Sequence, residues 1–177
     1  LHVHTEFSLL DGSNKIKEYV KRVKELGMTS AAITDHGVMY GCIDFYKAAK
    51  AAGIKPIIGC EVYVAPASRF NKNQGIDNKT SHLVLLAENE TGYKNLIKMV
   101  SLSNTEGYYY KPKVDKEILR EYSQGLIALS ACLAGEIPRL LTKGEYEKAK
   151  ETALWYNSVF GQDNYYIEIQ DHSIIEQ

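Results

Sequence analysis

The chain has 177 residues, a formal net charge of −1, 45% hydrophobic residues and 24% charged residues. These values are ordinary for one globular domain with its own core, and they exclude a disordered or globally basic chain. No apolar run approaches the length of a membrane span, and three widely spaced cysteines do not make a disulfide framework. We therefore expect a cytoplasmic protein with no membrane partner, in which nucleic-acid binding would need a local basic patch.

Six short β-like runs alternate with longer helical patterns along the chain. Strands are predicted at 1–5, 29–34, 56–64, 82–87, 126–130 and 165–169. Helices are predicted at 14–26, 41–52, 91–103, 115–121, 136–141 and 146–160. The alternation is typical of parallel strands joined by helical crossovers, and it fits either an α/β barrel or an open doubly wound sheet.

The first predicted strand carries two histidines. Side chains alternate along a strand, so His2 and His4 share one face while Leu1 and Val3 share the other. Two neighbouring imidazoles on an apolar backing form a candidate metal platform, although they could equally be exposed on an edge strand. Asp11 follows them as a lone carboxylate.

Other chemically active side chains lie at or near the ends of later strands. Asp35 and His36 end the second strand, and Cys132 follows the fifth. Glu61 stands inside the apolar run "PIIGCEVYV", where a carboxylate is costly unless it is paired or bound to a metal, so we favour a ligand role over a salt-bridged core acid. His82 begins its strand, which is the wrong end in a regular parallel barrel and indicates a distortion there.

Parallel strands would bring these groups to one rim. Seven side chains are candidate metal ligands: His2, His4, Asp11, His36, Glu61, His82 and Cys132. The set is too large for one tetrahedral zinc ion. Mixed imidazole and carboxylate ligands in this number favour a multinuclear site, bridged by Glu61, of the kind that activates water for hydrolysis of a phosphate ester.

Five motifs together resemble the PHP (polymerase and histidinol phosphatase) domain family. They are "HVHTEFSLLDG", "AAITDHGVMYG", "GIKPIIGCEVYV", "HLVLLAENETGYKNL" and "GLIALSACLAGEI". The combination of "FSLLDG", "TDHG" and "GYYYKPKVD" resembles the branch of the family found in bacterial replicative DNA polymerases rather than the free-standing histidinol phosphatases. The resemblance runs from Leu1 to about His172.

The resemblance implies an α/β fold, a distorted TIM-like barrel of seven βα units, with a trinuclear metal cleft. It assigns the same seven side chains as ligands and gives Glu61, His36 and Asp11 the catalytic roles. Up to three divalent ions are expected, either zinc, manganese or iron, with magnesium as a further candidate.

The resemblance also implies a function. A parent DNA-directed DNA polymerase would carry this domain as a phosphoesterase of the 3′–5′ exonuclease type, acting on the primer 3′ end of DNA. The expected partners are the downstream polymerase domains of the same chain, a separate proofreading exonuclease subunit and other replicase subunits. Three alternatives stay open: a metal-stabilised docking module without catalysis, a small-molecule phosphatase such as histidinol phosphatase, and an amidohydrolase-like barrel.

We interpret residues 1–177 as one such domain taken from a longer chain, with the closing segment of its barrel missing. The family's last motif is an Asp-x-His near the end of the barrel, and the sequence does not contain it. The pair Asp171 and His172 is adjacent and is therefore not this motif.

The stretch "EGYYYKPKVD" places three tyrosines beside two lysines. Aromatic rings next to cations suit single-stranded nucleic acid. We favour the alternative that these tyrosines pack on the barrel, because aromatic side chains are commonly buried. The polar stretch "SRFNKNQGIDNKTS" is predicted to be a flexible surface loop.

Overall fold

A computed structural model describes residues 1–173 of the protein. Its helices are α1 (Ile16–Glu25), α2 (Cys42–Ala52), α3 (Glu90–Thr105), α4 (Lys116–Glu121), α5 (Glu136–Thr142) and α6 (Tyr146–Phe160). Its strands are β1 (Ser30–Ile33), β2 (Lys55–Val64), β3 (Ser81–Ala87), β4 (Tyr108–Tyr109), β5 (Lys111–Val114), β6 (Leu126–Leu129) and β7 (Tyr165–Tyr166). The predicted mixed α/β class is confirmed, and every predicted helix is present within two residues at each end.

The strands form one sheet around the long strand β2. Six of them run in the order β4-β5-β2-β3-β6-β7, and β1 pairs with the first half of β2. Strands β1, β2, β5, β6 and β7 make parallel pairs, but β3 is antiparallel to both of its neighbours. The prediction of an all-parallel sheet is therefore wrong for β3. No helix lies between β2 and β3, and a parallel return would need such a crossover.

The sheet is open within residues 1–173, because β4 and β7 end it and do not pair with each other. A barrel closed by seven hydrogen-bonded strands is thus not what these residues form. The predicted first strand is also absent. Residues 1–5 instead run beside β1, where the Thr34 amide donates to the Val3 carbonyl at 2.9 Å and the Val3 amide donates to Thr34 Oγ1 at 2.7 Å. The Thr34 side chain replaces a backbone partner, so no ladder develops.

Two apolar cores hold the helices on the sheet. The larger core lies between the sheet and α3, α4 and α6, and it includes Leu85, Met99 and Tyr156. The smaller one lies between α1, α2 and β1, where Val20 and Phe45 are buried. The apolar stripe of α1 follows the spacing seen in its sequence, which explains why this helix is predictable. None of the helices among residues 1–173 is long and apolar enough to cross a membrane.

The hairpin β4–β5 has no counterpart among the predicted elements. Its second strand pairs with the carboxyl end of β2, and its buried Lys113 reaches away from the sheet to the polar loop 66–80. There the Lys113 ammonium donates to the carbonyls of Asn71 (2.8 Å) and Asp77 (3.3 Å). Arg69 in the same loop pairs with Asp115 at 3.1 Å. This loop, expected to be flexible, is tied to the body of the domain by two cations.

Candidate metal centre

The candidate site lies where β1 and β2 carry their carboxyl-terminal residues and β3 begins. Residues His36 and Glu61 form a parallel bridge just beyond β1, and the Glu61 amide donates to the Asp35 carbonyl at 3.0 Å. Because β3 is antiparallel, its first residues lie at the same rim as the last residues of its parallel neighbours. This direction places His82 beside the other candidates and removes the difficulty that its sequence position raised.

Glu61 is the centre of the site. Its side chain is fully buried, yet four imidazoles surround its carboxylate. Oxygen Oε1 lies 3.1 Å from Nε2 of His2 and 2.9 Å from Nδ1 of His82. Oxygen Oε2 lies 2.5 Å from Nδ1 of His36 and 3.5 Å from Nε2 of His4. Each carboxylate oxygen therefore faces two ring nitrogens, which is the geometry that a bridging ligand requires.

The open side of the site is formed by Asp11. Its Oδ2 atom lies 2.5 Å from Nε2 of His36, and its side chain is largely exposed. The imidazoles of His4 and His36 stack with ring centroids 3.9 Å apart. These three side chains form a group at the mouth of the cleft, and His4 and His36 connect it to Glu61.

Cys132 lies on the opposite side, in the turn after β6. Its Sγ atom is 3.8 Å from Nδ1 of His82, and the thiol is half-buried. The hydrogen bond with His82 lowers the pKa of the Cys132 thiol and so favours the thiolate, which is the form that binds metals. All seven side chains named from the sequence are thus brought together in one cleft.

Three groups within this cleft have ligand atoms close enough to share an ion. They are His2, His4 and Glu61; His4, Asp11 and His36; and His36, Glu61 and His82. In each group the candidate ligand atoms lie within 4.8 Å of one another. Glu61 belongs to two of the groups, and the groups overlap through shared histidines.

Burial and the neighbouring groups shift the pKa values of three of these side chains. Burial disfavours the charged form of His2, but the hydrogen bond with Glu168 and the neighbouring Glu61 carboxylate outweigh it and raise the pKa of His2 to about 10. Burial acts likewise on His82, while hydrogen bonds with Cys132 and Glu61 raise its pKa to about 9. Burial opposes ionisation of Glu61, yet its imidazole partners hold its pKa below the usual range.

His4 behaves differently from the other three histidines. Burial and the neighbouring His36 both lower the pKa of His4, because two stacked imidazoles do not readily carry positive charge together. A neutral imidazole is the form that ligates a metal. His4 is accordingly the ring most ready to accept an ion.

Several buried polar atoms in the cleft make no well-directed hydrogen bond, although His2 Nε2 and His36 Nδ1 each lie within 3.1 Å of a Glu61 oxygen. They are His2 Nε2, His4 Nδ1, His36 Nδ1, Glu61 Oε2 and Glu168 Oε2. A buried polar atom without a hydrogen bond is costly, and a metal ion satisfies such atoms. The nitrogen, oxygen and sulfur atoms gathered here therefore fit divalent metal ions.

Asp35 has a supporting role that the sequence did not specify. It is buried and accepts hydrogen bonds from the Thr5 amide (2.6 Å), the Thr5 hydroxyl (2.7 Å) and the Ser8 hydroxyl (2.7 Å). The short 3₁₀ helix Glu6–Ser8 follows Thr5 directly. Asp35 thus fixes the segment that carries His4 on one side and Asp11 on the other.

Glu168 is a site residue that sequence reasoning missed. Its Oε1 atom lies 2.8 Å from Nδ1 of His2 and accepts a 2.6 Å hydrogen bond from the Gln170 side chain. A carboxylate on the far nitrogen of a ligating histidine fixes the orientation of the ring. The available signal was a carboxylate inside the predicted strand 165–169, the same kind of signal that identified Glu61.

Comparison with known proteins identifies the family. The sequence profile of the PHP domain matches residues 1–172. The chain belongs to the PHP domain family, as its motifs predicted.

The most similar of the relatives compared are all subunits of one type of DNA polymerase. Over its full length the chain is 52% identical to DNA polymerase III subunit alpha of Borreliella burgdorferi, 50% to that of Treponema pallidum and 48% to that of Thermus aquaticus. It spans 15% of the length of each of these relatives. The chain is therefore homologous to one region of a much longer polymerase subunit.

Two solved structures show more distant similarity. An amidohydrolase from Chromobacterium violaceum is 25% identical and has a TM-score of 0.42, over 58% of this chain and 32% of that one. A protein from Bifidobacterium adolescentis, described as a metal-dependent phosphoesterase, is 15% identical and has a TM-score of 0.41, over 96% of this chain and 58% of that one.

Proposed function

We propose that this chain is the metal-dependent phosphoesterase domain of a bacterial replicative DNA polymerase, of the DNA polymerase III alpha type, and that it removes nucleotides from the 3′ end of a DNA primer. The observation that carries the proposal is the position of Glu61, a buried carboxylate that meets four imidazoles. A buried carboxylate destabilises a core unless its charge is paired or binds a metal ion. The long polymerase relatives supply the substrate class.

The residues divide the work between them. Glu61 would be shared by two ion positions, His2, His4, His36 and His82 would complete them, and Asp11 and Cys132 would extend the set at its two ends. Divalent ions held here would supply Lewis-acid activation of water and neutralise charge on the phosphate. No serine or cysteine nucleophile is then needed. Asp11 and His36 lie where a phosphodiester entering from solvent would arrive, since Asp11 is the exposed member of the cluster, and the buried Glu61 lies behind them.

We also propose that the sheet is part of a distorted barrel. Residues 1–5 run along the free edge of β1, and His2 at the start of this segment contacts Glu168 just beyond β7. The free edge of β1 and strand β7 therefore approach each other across a gap that the side-chain contacts of His2 with Glu168 and Gln170 span. Further strands in this gap would complete a ring around the cleft.

Other assignments follow from the polymerase relatives. The proposed partners are polymerase domains of the same chain, a proofreading exonuclease subunit and other replicase subunits, in the cytoplasm. The ions are zinc, manganese or iron, because mixed imidazole and carboxylate sites accept these three, and magnesium is a further candidate through the carboxylates. A metal-stabilised docking module without catalysis is the competing function.

The test compares metal content and hydrolysis of a 3′-recessed DNA strand in the parent protein, Glu61→Gln and His4→Ala. We expect both variants to lose bound metal and to lower the rate at least a hundredfold, because the ions cannot be held without their ligands. Glu90→Gln is the matched control, since Glu90 is an exposed carboxylate on α3. It should retain the parent's metal content and rate.

The contrary result is equally clear. If the parent binds metal but cleaves neither DNA nor a small phosphodiester, and the variants merely melt at lower temperature, the cleft is structural. If DNA stays intact while a small phosphate monoester is hydrolysed, the domain is a phosphatase.

A further inference from the structure

The hairpin β4–β5 stands next to the metal centre, although the proposed chemistry does not use it. Its strand β5 pairs with Tyr63 and Val64, at the end of β2 just beyond Glu61. Pro112 packs so closely on Gly37, the residue after His36, that a Cβ atom added to Gly37 would lie 2.9 Å from Pro112 Cγ. The hairpin is therefore fixed against the rim that carries the candidate ligands.

The ring of Tyr63 lies between Lys111 of the hairpin and two of the candidate ligands. Tyr63 stacks on His36 with centroids 6.0 Å apart and meets His82 edge-on at 5.2 Å. The Lys111 ammonium lies 4.2 Å from the centroid of the Tyr63 ring. One aromatic ring thus separates a lysine from two candidate ligands.

The tyrosines of the hairpin are not buried against the sheet. Tyr108 is 57% exposed and Tyr110 is 64% exposed, so the expectation that they pack on the barrel is wrong for these two. Tyr110 occupies the turn with a φ of +60°, a conformation that non-glycine residues rarely adopt, and Tyr109 packs edge-on against it at 4.7 Å. Tyr108 and Tyr110 therefore present aromatic surface to solvent on the hairpin that packs beside the cleft.

The charge beside these faces suits a phosphate. Lys111 is exposed and forms no ion pair with a carboxylate among residues 1–173. Lys113, two residues further on, is buried, and its ammonium donates hydrogen bonds to backbone carbonyls. Lys111 is thus the cation of this hairpin that is available to a ligand.

We infer that Tyr108, Tyr110 and Lys111 form a binding platform for the unpaired DNA strand beside the phosphodiester that the metal centre holds. This inference rests on the proposed function and adds the groups that hold the substrate. Bases would stack on the exposed tyrosines, while Lys111 meets a backbone phosphate. An aromatic surface combined with a cation is the arrangement by which proteins hold single strands without sequence preference.

The test is the affinity of the metal-free protein for a short fluorescein-labelled oligothymidylate, measured by fluorescence anisotropy in EDTA so that the strand is not cut. Tyr110→Ala should weaken binding at least about fivefold, because it removes a stacking surface. Tyr110→Phe should bind like the parent, since it keeps the ring. Lys111→Gln should reduce the slope of log affinity against log salt by about 0.7, the change for one lost phosphate contact on a single strand.

Matched controls are Tyr146→Ala and Lys98→Gln, which alter an exposed tyrosine on α6 and an exposed lysine on α3. Both should bind like the parent. Tyr108→Ala provides a second test of stacking, should Tyr110→Ala disturb the turn.

Hydrolysis of bis(p-nitrophenyl) phosphate by the metal-loaded parent separates this inference from the proposed function. Turnover of this small diester tests the metal centre, whereas the oligonucleotide affinity of the metal-free variants tests the platform. If the parent hydrolyses nothing yet the variants lose oligonucleotide affinity, the platform stands and the proposed function fails. If Tyr108→Ala, Tyr110→Ala and Lys111→Gln all bind like the parent, the platform is overturned, whatever the hydrolysis results.

Discussion

The side chains of the cleft differ in how many of the candidate ion positions they contribute to. Glu61 belongs to two of the three ligand groups, whereas Asp11 belongs to one. Asp11 is also the exposed member, so its loss leaves no buried charge without a partner. The two carboxylates should therefore differ in the number of ions that each one controls.

Asp11→Asn should lose one bound ion, and Glu61→Gln should lose at least two, as measured by plasma mass spectrometry after dialysis against metal-containing buffer. Asp44→Asn, at an exposed carboxylate on α2, should match the parent. Equal metal content in Asp11→Asn and the parent would remove Asp11 from the ligand set.

At the scale of residues, the seven candidate ligands could be predicted from the sequence, and two kinds of pattern identify three of them. Glu61 was visible because a carboxylate in an apolar run is costly, and His2 and His4 because alternation placed them on one face. Sequence reasoning does not identify Glu168 as a site residue, because its partner His2 lies 166 residues away. Contacts of that separation leave no local pattern.

Among the elements, the segment 5–11 contains only the short 3₁₀ helix Glu6–Ser8 and is held in place by a hydrogen-bond network around Asp35. Asp35 accepts three hydrogen bonds from Thr5 and Ser8, and these bonds position the neighbours of His4 and Asp11. The Asp35 side chain is buried, so its removal would leave these donors without a hydrogen-bond acceptor and shielded from water.

Asp35→Ala should lower the free energy of unfolding by about 2–4 kcal/mol, the cost of buried donors left without partners. It should also weaken the ion position that uses Asp11 and His4. Urea denaturation of the metal-free protein measures the first effect. Asp44→Ala, at an exposed helix position, should cost less than about 1 kcal/mol. A loss at Asp35 no larger than that of the control would show that the network does not hold this segment.

Some of the helices and strands could be predicted from the sequence, and others could not. Helices with a regular apolar stripe, such as α1, and long apolar strands, such as β2, were predictable because local spacing specifies them. The direction of β3 was not, since it depends on the missing crossover between β2 and β3. The hairpin β4–β5 is short and rich in lysine and tyrosine, so its apolar signal is weak.

Across the whole molecule, pH should act in opposite directions on the metal-free and metal-loaded forms. In the metal-free form the pKa values of His2 and His82 are raised from 6.5 to about 10 and about 9. Groups with raised folded-state pKa values stabilise the fold fully below the unfolded value and lose that effect as pH rises through the folded value. Ligation requires the same imidazoles without their protons.

The metal-free protein should therefore lose thermal stability as pH rises from about 7 to 10, while the difference in Tm between loaded and metal-free protein should widen. At a free ion concentration a hundredfold above Kd, each independent site contributes about 2.7 kcal/mol. Differential scanning calorimetry with and without EDTA at several pH values measures both trends. A Tm difference that shrinks between pH 7 and 9 would mean that the ions do not replace these protons.

The most direct measurement for the metal centre is anomalous diffraction from crystals grown with manganese or zinc. We predict anomalous peaks about 2.0–2.3 Å from the Glu61 carboxylate and the nearest imidazole nitrogens, with Glu61 shared by two of them. Peaks only at the protein surface, or none within reach of Glu61, would contradict a metal centre in this cleft.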